Sequence, residues 1–186
     1  MSEKARLPTR REALNLLVKA GCSPAVVEHC KRVSAFAVKI AKTCQRKQLN
    51  VDVKLVEISA LLHDIGRSKT HSVDHALEGG KIARSFNLPD SVVLIIERHA
   101  GGGIPKEEAK KLGWPARDYL PKTLEEKIVC YADKRVEGVR IVPIEKTVKA
   151  YAVDLGENHP AIQRVWELHR EITALAGDLD AHSDLA

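Results

Sequence analysis

An apolar run ends in His63 and Asp64, within LLHDIGRSKTHSVDHALEGG at residues 61–80, setting an imidazole beside a carboxylate where a helix should enter a core. Burying an unpaired carboxylate is expensive, so Asp64 either faces water or meets a positive charge. Comparable oddities recur along the chain. His29 lies four residues before Val33, on the margin of an apolar helical face. His99 follows Ile96 by three positions, Ile95 by four and Val92 by seven, and shares their face. Asp133 sits four after Val129 and three before Val136, again on the inward side. Any one of these reads as a hydrogen-bonded core residue, and Asp133 alone could pair with Lys134 or Arg135. Five of them on four helices of one small chain read differently. Inward imidazoles and carboxylates converging in a bundle are how helical proteins hold metal, and one cation would offset the burial of both aspartates. Three such ligands per metal leave positions for water and a substrate oxygen, which suits hydrolysis.

The elements that must position these residues are almost all helical. Thr9 and Glu12 form a capping box before EALNLLVKA, which Gly21 closes. Ser23 and Pro24 open a longer helix, with Val26, Cys30, Val33, Ala37, Ile40, Ala41 and Cys44 at helical spacing. Asp52 caps VKLVEISALLHDI, with Gly66 as its end. DHALEGGKIARSF reads as a fourth helix weakened by Gly79 and Gly80. Asp90 caps SVVLIIERHA, which the glycines at 101–103 stop. A short PKEEAKKLG helix and a proline-bounded loop lead to a second capping box, Thr123 with Glu126, before LEEKIVCYADKRV. Weaker helices are expected near 144–155 and 160–176, and VRIVP at 139–143 is the one strand candidate, cut short by Pro143. The spacing predicts one helical domain over residues 1–177, with its motif-bearing core at about 23–138 and a loose tail at 178–186.

Composition narrows the function. With 186 residues the chain can bury a core without staples, and 44% hydrophobic with 30% charged residues is ordinary for a soluble protein. Aromatics at 4% disfavour a base-stacking platform for single-stranded nucleic acid. The net charge of +5 suits a small anionic partner such as a nucleotide or phosphate ester. The basic residues are scattered rather than gathered on one recognition helix, which speaks against a nucleic-acid-binding domain. Cys22, Cys30, Cys44 and Cys130 form no CxxC pair and read as reduced, largely buried thiols. No signal peptide or membrane-spanning run opens the chain, so a cytoplasmic protein with no membrane partner is expected.

His29, the His63-Asp64 doublet and Asp133 resemble the H…HD…D set of HD-domain phosphohydrolases, and HDIG at 63–66 is similar to the commonest form of that motif. The likeness runs from about His29 to Val136. It implies an all-α HD-type bundle holding a divalent metal and hydrolysing phosphate esters, with Asp64 catalytic. DHALEGG and ERHAGGG resemble the two added histidines with which some subfamilies hold a second ion, which implies His75 and His99 as further metal ligands. His71 lacks that pattern, and His159, His169 and His182 lie beyond the resemblance. Lys134 follows a ligand directly and is the expected catalytic cation, with Arg67 and Lys69 as substrate-binding residues. Nitrogen-rich ligation favours iron, manganese, cobalt or nickel over magnesium, with one or two ions per chain. The segment from residue 101 to 134 is similar to small archaeal HDIG-domain proteins, one line of which opens a pterin 2′,3′-cyclic phosphate. A phosphodiesterase acting on a small nucleotide-like ester is therefore expected, a 2′,3′-cyclic phosphate first. The alternatives are a nucleotidase, a dinucleoside polyphosphate hydrolase or a non-catalytic nucleotide-binding module. The insertion at 104–122 is expected to roof the site and set specificity.

Overall fold

The computed structural model describes residues 6–177 and residue 179. Among them the chain forms α1 (Arg10–Ala20), α2 (Pro24–Arg46), α3 (Val53–Leu62), α4 (His75–Ser85), α5 (Asp90–Arg98) and α6 (Lys106–Lys111). After these come α7 (Leu124–Lys134), the strands β1 (Val136–Glu137) and β2 (Arg140–Ile141), α8 (Ile144–Leu155) and α9 (Pro160–Ala176). β1 and β2 pair antiparallel, Val136 with Ile141 and Glu137 with Arg140.

Two apolar clusters build the interior. One joins Val33, Phe36 and Ile40 of α2 to Ile128 of α7 and Val165 and Ile172 of α9. The other joins Leu17 of α1, Cys30 of α2, Ile58 and Leu61 of α3, and Val92 and Ile96 of α5. α3 belongs to both. Val56, Ile58, Ser59, Ala60, Leu61 and Leu62 are all buried, so from Ile58 onward the helix is enclosed on every side, the mark of a central element. Each large side chain there contributes about 1.5–3 kcal/mol by leaving water, which offsets the burial of the polar pair that follows.

The capping box at Thr9 is present, with Glu12 N–H on the Thr9 hydroxyl and the Glu12 carboxylate on Thr9 N–H. Three expectations are corrected. α3 ends at Leu62 rather than Gly66, and residues 65–68 form a 3-10 turn that swings His63 and Asp64 out of the helix. Pro89, not Asp90, holds the cap position of α5, and Asp90 stands in the first turn, where its charge favours the helix dipole. Thr123 accepts from Glu126 N–H, but the Glu126 carboxylate turns to Arg98 and to Lys122 N–H, because the guanidinium is the stronger donor.

The strand expected at 139–143 is one arm of a hairpin whose tip is Gly138 and Val139. Leu179, expected in a loose tail, is buried at 6% among the core residues of α2, α7 and α9, as an apolar side chain past Gly177 can be. The rest of 178–186 lies outside the described residues.

Candidate metal centre

Five helices converge on one point. α2 supplies His29, the end of α3 His63 and Asp64, the first residue of α4 His75, the end of α5 His99, and α7 Asp133. Close packing of α4 makes this possible. A Cβ on Gly66 would stand 1.9 Å from the His75 carbonyl oxygen, and one on Gly79 would stand 2.7 Å from Ile96 Cγ2. The glycines that looked like weaknesses of α4 are what let it lie against the turn and against α5.

The imidazoles form a chain. Ring centroids are 5.4 Å apart for His29–His63, 4.9 Å for His63–His99 and 5.0 Å for His75–His99. Every Nδ1 meets a backbone carbonyl: His29 that of Gly138 at 2.9 Å, His63 that of Ala60 at 2.7 Å, His75 that of Ser72 at 2.7 Å and His99 that of Ile96 at 2.6 Å. A carbonyl only accepts, so each Nδ1 carries a proton and each ring turns its Nε2 inward, as a metal ligand must. The hairpin is part of this device, because Gly138 at its tip orients His29.

The Nε2 atoms meet two carboxylates. Asp133 Oδ1 lies 3.2 Å from His29 and 3.3 Å from His63. Asp64 Oδ1 lies 3.2 Å from His75 and 3.4 Å from His99, while its Oδ2 lies 3.8 Å from His29 and 3.7 Å from His63. Asp64 thus stands between two groups of donors. His29, His63 and Asp133 form one group with ligand atoms within 4.8 Å of one another, and His63, Asp64 and His99 form another. His75 joins the second, its Nε2 3.0 Å from that of His99.

The inward atoms are crowded and not all paired. The Nε2 atoms of His75 and His99 stand 3.0 Å apart, and His63 Nε2 and Asp64 Oδ1 are buried without a hydrogen-bond partner. Burial opposes a charge on His63, yet the facing Asp64 carboxylate outweighs it and raises the imidazole well above its usual range. Burial likewise acts to raise Asp64, but the charge of His63, with His75 and His99 also facing the carboxylate, holds it well below the carboxylate range. Asp133 is held low against the same penalty by Lys134, with His29 and His63 adding to it. Burial pushes His99 down to about 4, which keeps it a neutral donor. A divalent cation fits such a site: ionised oxygens, inward-facing imidazole nitrogens and second-sphere carbonyls are already in place.

The basic residues sort themselves. Arg67 Nε donates to Asp64 Oδ2 and Lys134 Nζ to Asp133 Oδ2, both at 2.5 Å. Each aspartate therefore has one oxygen on a cationic side chain and another among the histidines. Both cations also line a cavity of about 310 Å³ that opens on Asp133. Lys69 is exposed and does not line it.

The insertion at 104–122 does not line this cavity either, which corrects the expectation of a roof. Trp114 Nε1 donates to Asp74 at 2.6 Å and Arg117 pairs with the buried Glu97 at 2.7 Å, tying the insertion to α4 and α5. From there it borders a separate groove of about 410 Å³ against α9, lined by none of the six candidate ligands.

His71 is exposed, the His159 ring caps α9 by accepting from Ala161 N–H, and His169 bonds the Tyr131 hydroxyl. His182 lies outside the described residues. Sequence reasoning missed Glu97, for which Gly80 was the available signal: a Cβ there would lie 2.5 Å from the Glu97 side chain. It also missed Thr147 and Tyr151 beside the cavity, which no motif marks.

The HD domain family model matches residues 26–136. An uncharacterized protein of Methanocaldococcus jannaschii is 48% identical over 164 residues, 88% of this chain and 96% of that protein. A tRNA (cytidine(56)-2′-O)-methyltransferase of Picrophilus torridus is 39% identical over 178 residues, 94% of this chain but 49% of that protein, so the chain spans about half its length. Among solved structures, the HD domain of the L. monocytogenes phosphodiesterase PgpH in complex with cyclic-di-AMP aligns with TM-score 0.50 at 16% identity, covering 90% of this chain and 98% of that one. Its likeness is one of fold. The matched stretch begins three residues before His29 and ends three after Asp133, so it encloses all six clustered side chains, and the chain belongs to the HD-domain family.

Proposed function

We propose that the chain is a metal-dependent phosphohydrolase whose substrate is a phosphodiester in a small nucleotide-like molecule, a 2′,3′-cyclic phosphate first among them. One observation carries this reading: four imidazoles, each locked by a carbonyl at Nδ1, turn their Nε2 atoms onto two ionised carboxylates. His29, His63 and Asp133 would hold one ion, His75 and His99 a second, with Asp64 between them. Bound there, divalent cations supply Lewis acidity, making water nucleophilic near neutral pH and neutralising charge on phosphoryl oxygens. The nitrogen-rich donor set favours iron, manganese, cobalt or nickel over magnesium. The chain's own residues do the rest. Lys134 keeps Asp133 ionised and Arg67 holds Asp64 in place, and both, at the cavity wall, can donate to the oxygens of an incoming phosphate.

Purified protein should contain transition metal, and Asp64→Ala should lower kcat/KM on the best substrate by on the order of a hundredfold or more. The panel is 2′,3′-cyclic nucleotides, nucleoside 5′-monophosphates, a dinucleoside tetraphosphate and bis-p-nitrophenyl phosphate, with manganese or ferrous iron. Protein without metal, and turnover indifferent to chelator, would sink the reading. Monophosphate turnover with no diester cleaved would move the substrate while leaving the metal site standing. One observation favours a second reading, an RNA-borne phosphate: the Picrophilus torridus relative is named for a tRNA modification. An oligonucleotide ending in a 2′,3′-cyclic phosphate belongs in the panel, and its preference over free nucleotides would decide for that reading.

A further inference from the structure

The cavity beside Asp133 has a wall the family match does not reach. Beyond Arg67, Asp133 and Lys134, its lining comes from residues 136–151, while the match ends at 136. α8 contributes most of that wall. Of its 12 residues only Ile144 is fully buried, with Val148 and Tyr151 partly buried against the core. It is also fastened to α7, which carries Asp133. Thr147 Oγ1 donates to the Lys134 carbonyl at 2.5 Å, at the end of α7. One turn later Tyr151 lies on the same face, its hydroxyl beside the buried Lys134 ammonium that also holds Asp133. Lys146, bridged to Glu137, stands at the exposed rim.

We propose that α8 is the specificity wall, on which Tyr151 and Lys146 bind the non-reacting part of a phosphate ester of mononucleotide size. The inference rests on the hydrolytic reading above. Lys134 and Arg67 place the phosphate end against Asp133, and an aromatic ring with a hydroxyl suits a planar base or its sugar. A cation at the rim suits a second anionic or polar group of the same ligand. Size decides between the substrate classes. A cavity of about 310 Å³ is at the low end for small-molecule sites and leaves a dinucleotide's second half unhoused. Tyr151 and Lys146 are substrate-binding residues on this account, with no part in the bond-breaking step.

The test uses the full chain loaded with manganese. Tyr151→Ala and Lys146→Ala should each raise KM about tenfold for the best mononucleotide-sized substrate, with kcat and metal content near wild type. Tyr151→Phe, which keeps the ring, should recover most of the loss. Calorimetric titration with nucleoside 5′-monophosphates reads the wall without turnover, and Tyr151→Ala should weaken that binding by the same factor. Lys146 is exposed, so its variant tests the wall even if Tyr151→Ala fails to fold. Unchanged KM and unchanged nucleotide affinity in both variants overturn the proposal, as does equal kcat/KM for a dinucleoside tetraphosphate. A wild type that binds nucleotide through Tyr151 yet hydrolyses nothing would sink the hydrolytic reading and keep the wall.

Discussion

Backbone carbonyls decide the chemistry of these histidines. Ala60, Ser72 and Ile96 each lie three residues before the histidine they bind, at helix ends or turns where carbonyl oxygens lack intrahelical partners. The same contact satisfies the carbonyl and fixes the tautomer. His99 is the sharpest case, because burial holds it neutral and its Nε2 faces His75 and Asp64. His99→Ala should therefore bind about one metal per chain where wild type binds about two, measured by elemental analysis, and should lose most turnover while staying folded. Wild-type saturation at one ion would leave His75 and His99 as core residues.

Elements meet at this site because glycine lets them. At 1.9 Å from the His75 carbonyl, no Cβ on Gly66 can be absorbed by a side-chain shift, since the obstacle is backbone. Gly66→Ala should move α4 away from the turn, take His75 out of the cluster, and destabilise the fold by about 2–3 kcal/mol in urea unfolding. Occupancy at His29, His63 and Asp133 should persist, because those residues come from α2, the end of α3 and α7. Loss of all metal at unchanged stability would contradict this placement. Gly79 and Gly80 serve the next contact, where α4 meets Ile96 and Glu97 of α5. Helix propensity treats such glycines as defects, and only the neighbouring helix shows their use.

For the whole molecule, the burial that shapes the site also silences its thiols. All four cysteines are free. Burial pushes Cys22 up to about 11, with Cys30 and Asp64 adding to the shift, and burial pushes Cys130 up to about 11. A raised folded pKa means stability fully present below the unfolded thiol value and lost as pH climbs through the folded one. Iodoacetamide at pH 8 should leave the native thiols largely unmodified, whereas all four should react in denaturant. Unfolding free energy should fall between about pH 9 and 11, less so in Cys22→Ala. Rapid modification of native protein at pH 8 would contradict the burial. Among the described residues no helix is long and apolar enough to cross a membrane.

The sequence by itself determined the helical architecture and the identity of the clustered side chains. Apolar periodicity, the Thr9 and Ser23 caps and the HDIG doublet are local signals, and their physics operates within one or two turns. Inward position was legible for His29, His99 and Asp133 because each shares a stripe with apolar neighbours. Tertiary structure alone decided the rest. Nothing local could show that α3 stops at Leu62, that Asp64 stands between two groups of imidazoles, or that the Gly138 carbonyl orients His29 across the chain. The insertion at 104–122 lay between two candidate ligands in sequence and so looked like a roof, but Glu97 and Asp74 hold it on the α4–α5 face. Most of the wall beside Asp133 comes instead from α8, brought there by packing against α9 and by the Thr147 hydrogen bond to the end of α7. Sequence spacing reports which residues share a helix face, whereas a cavity is bounded by whichever faces the fold brings together.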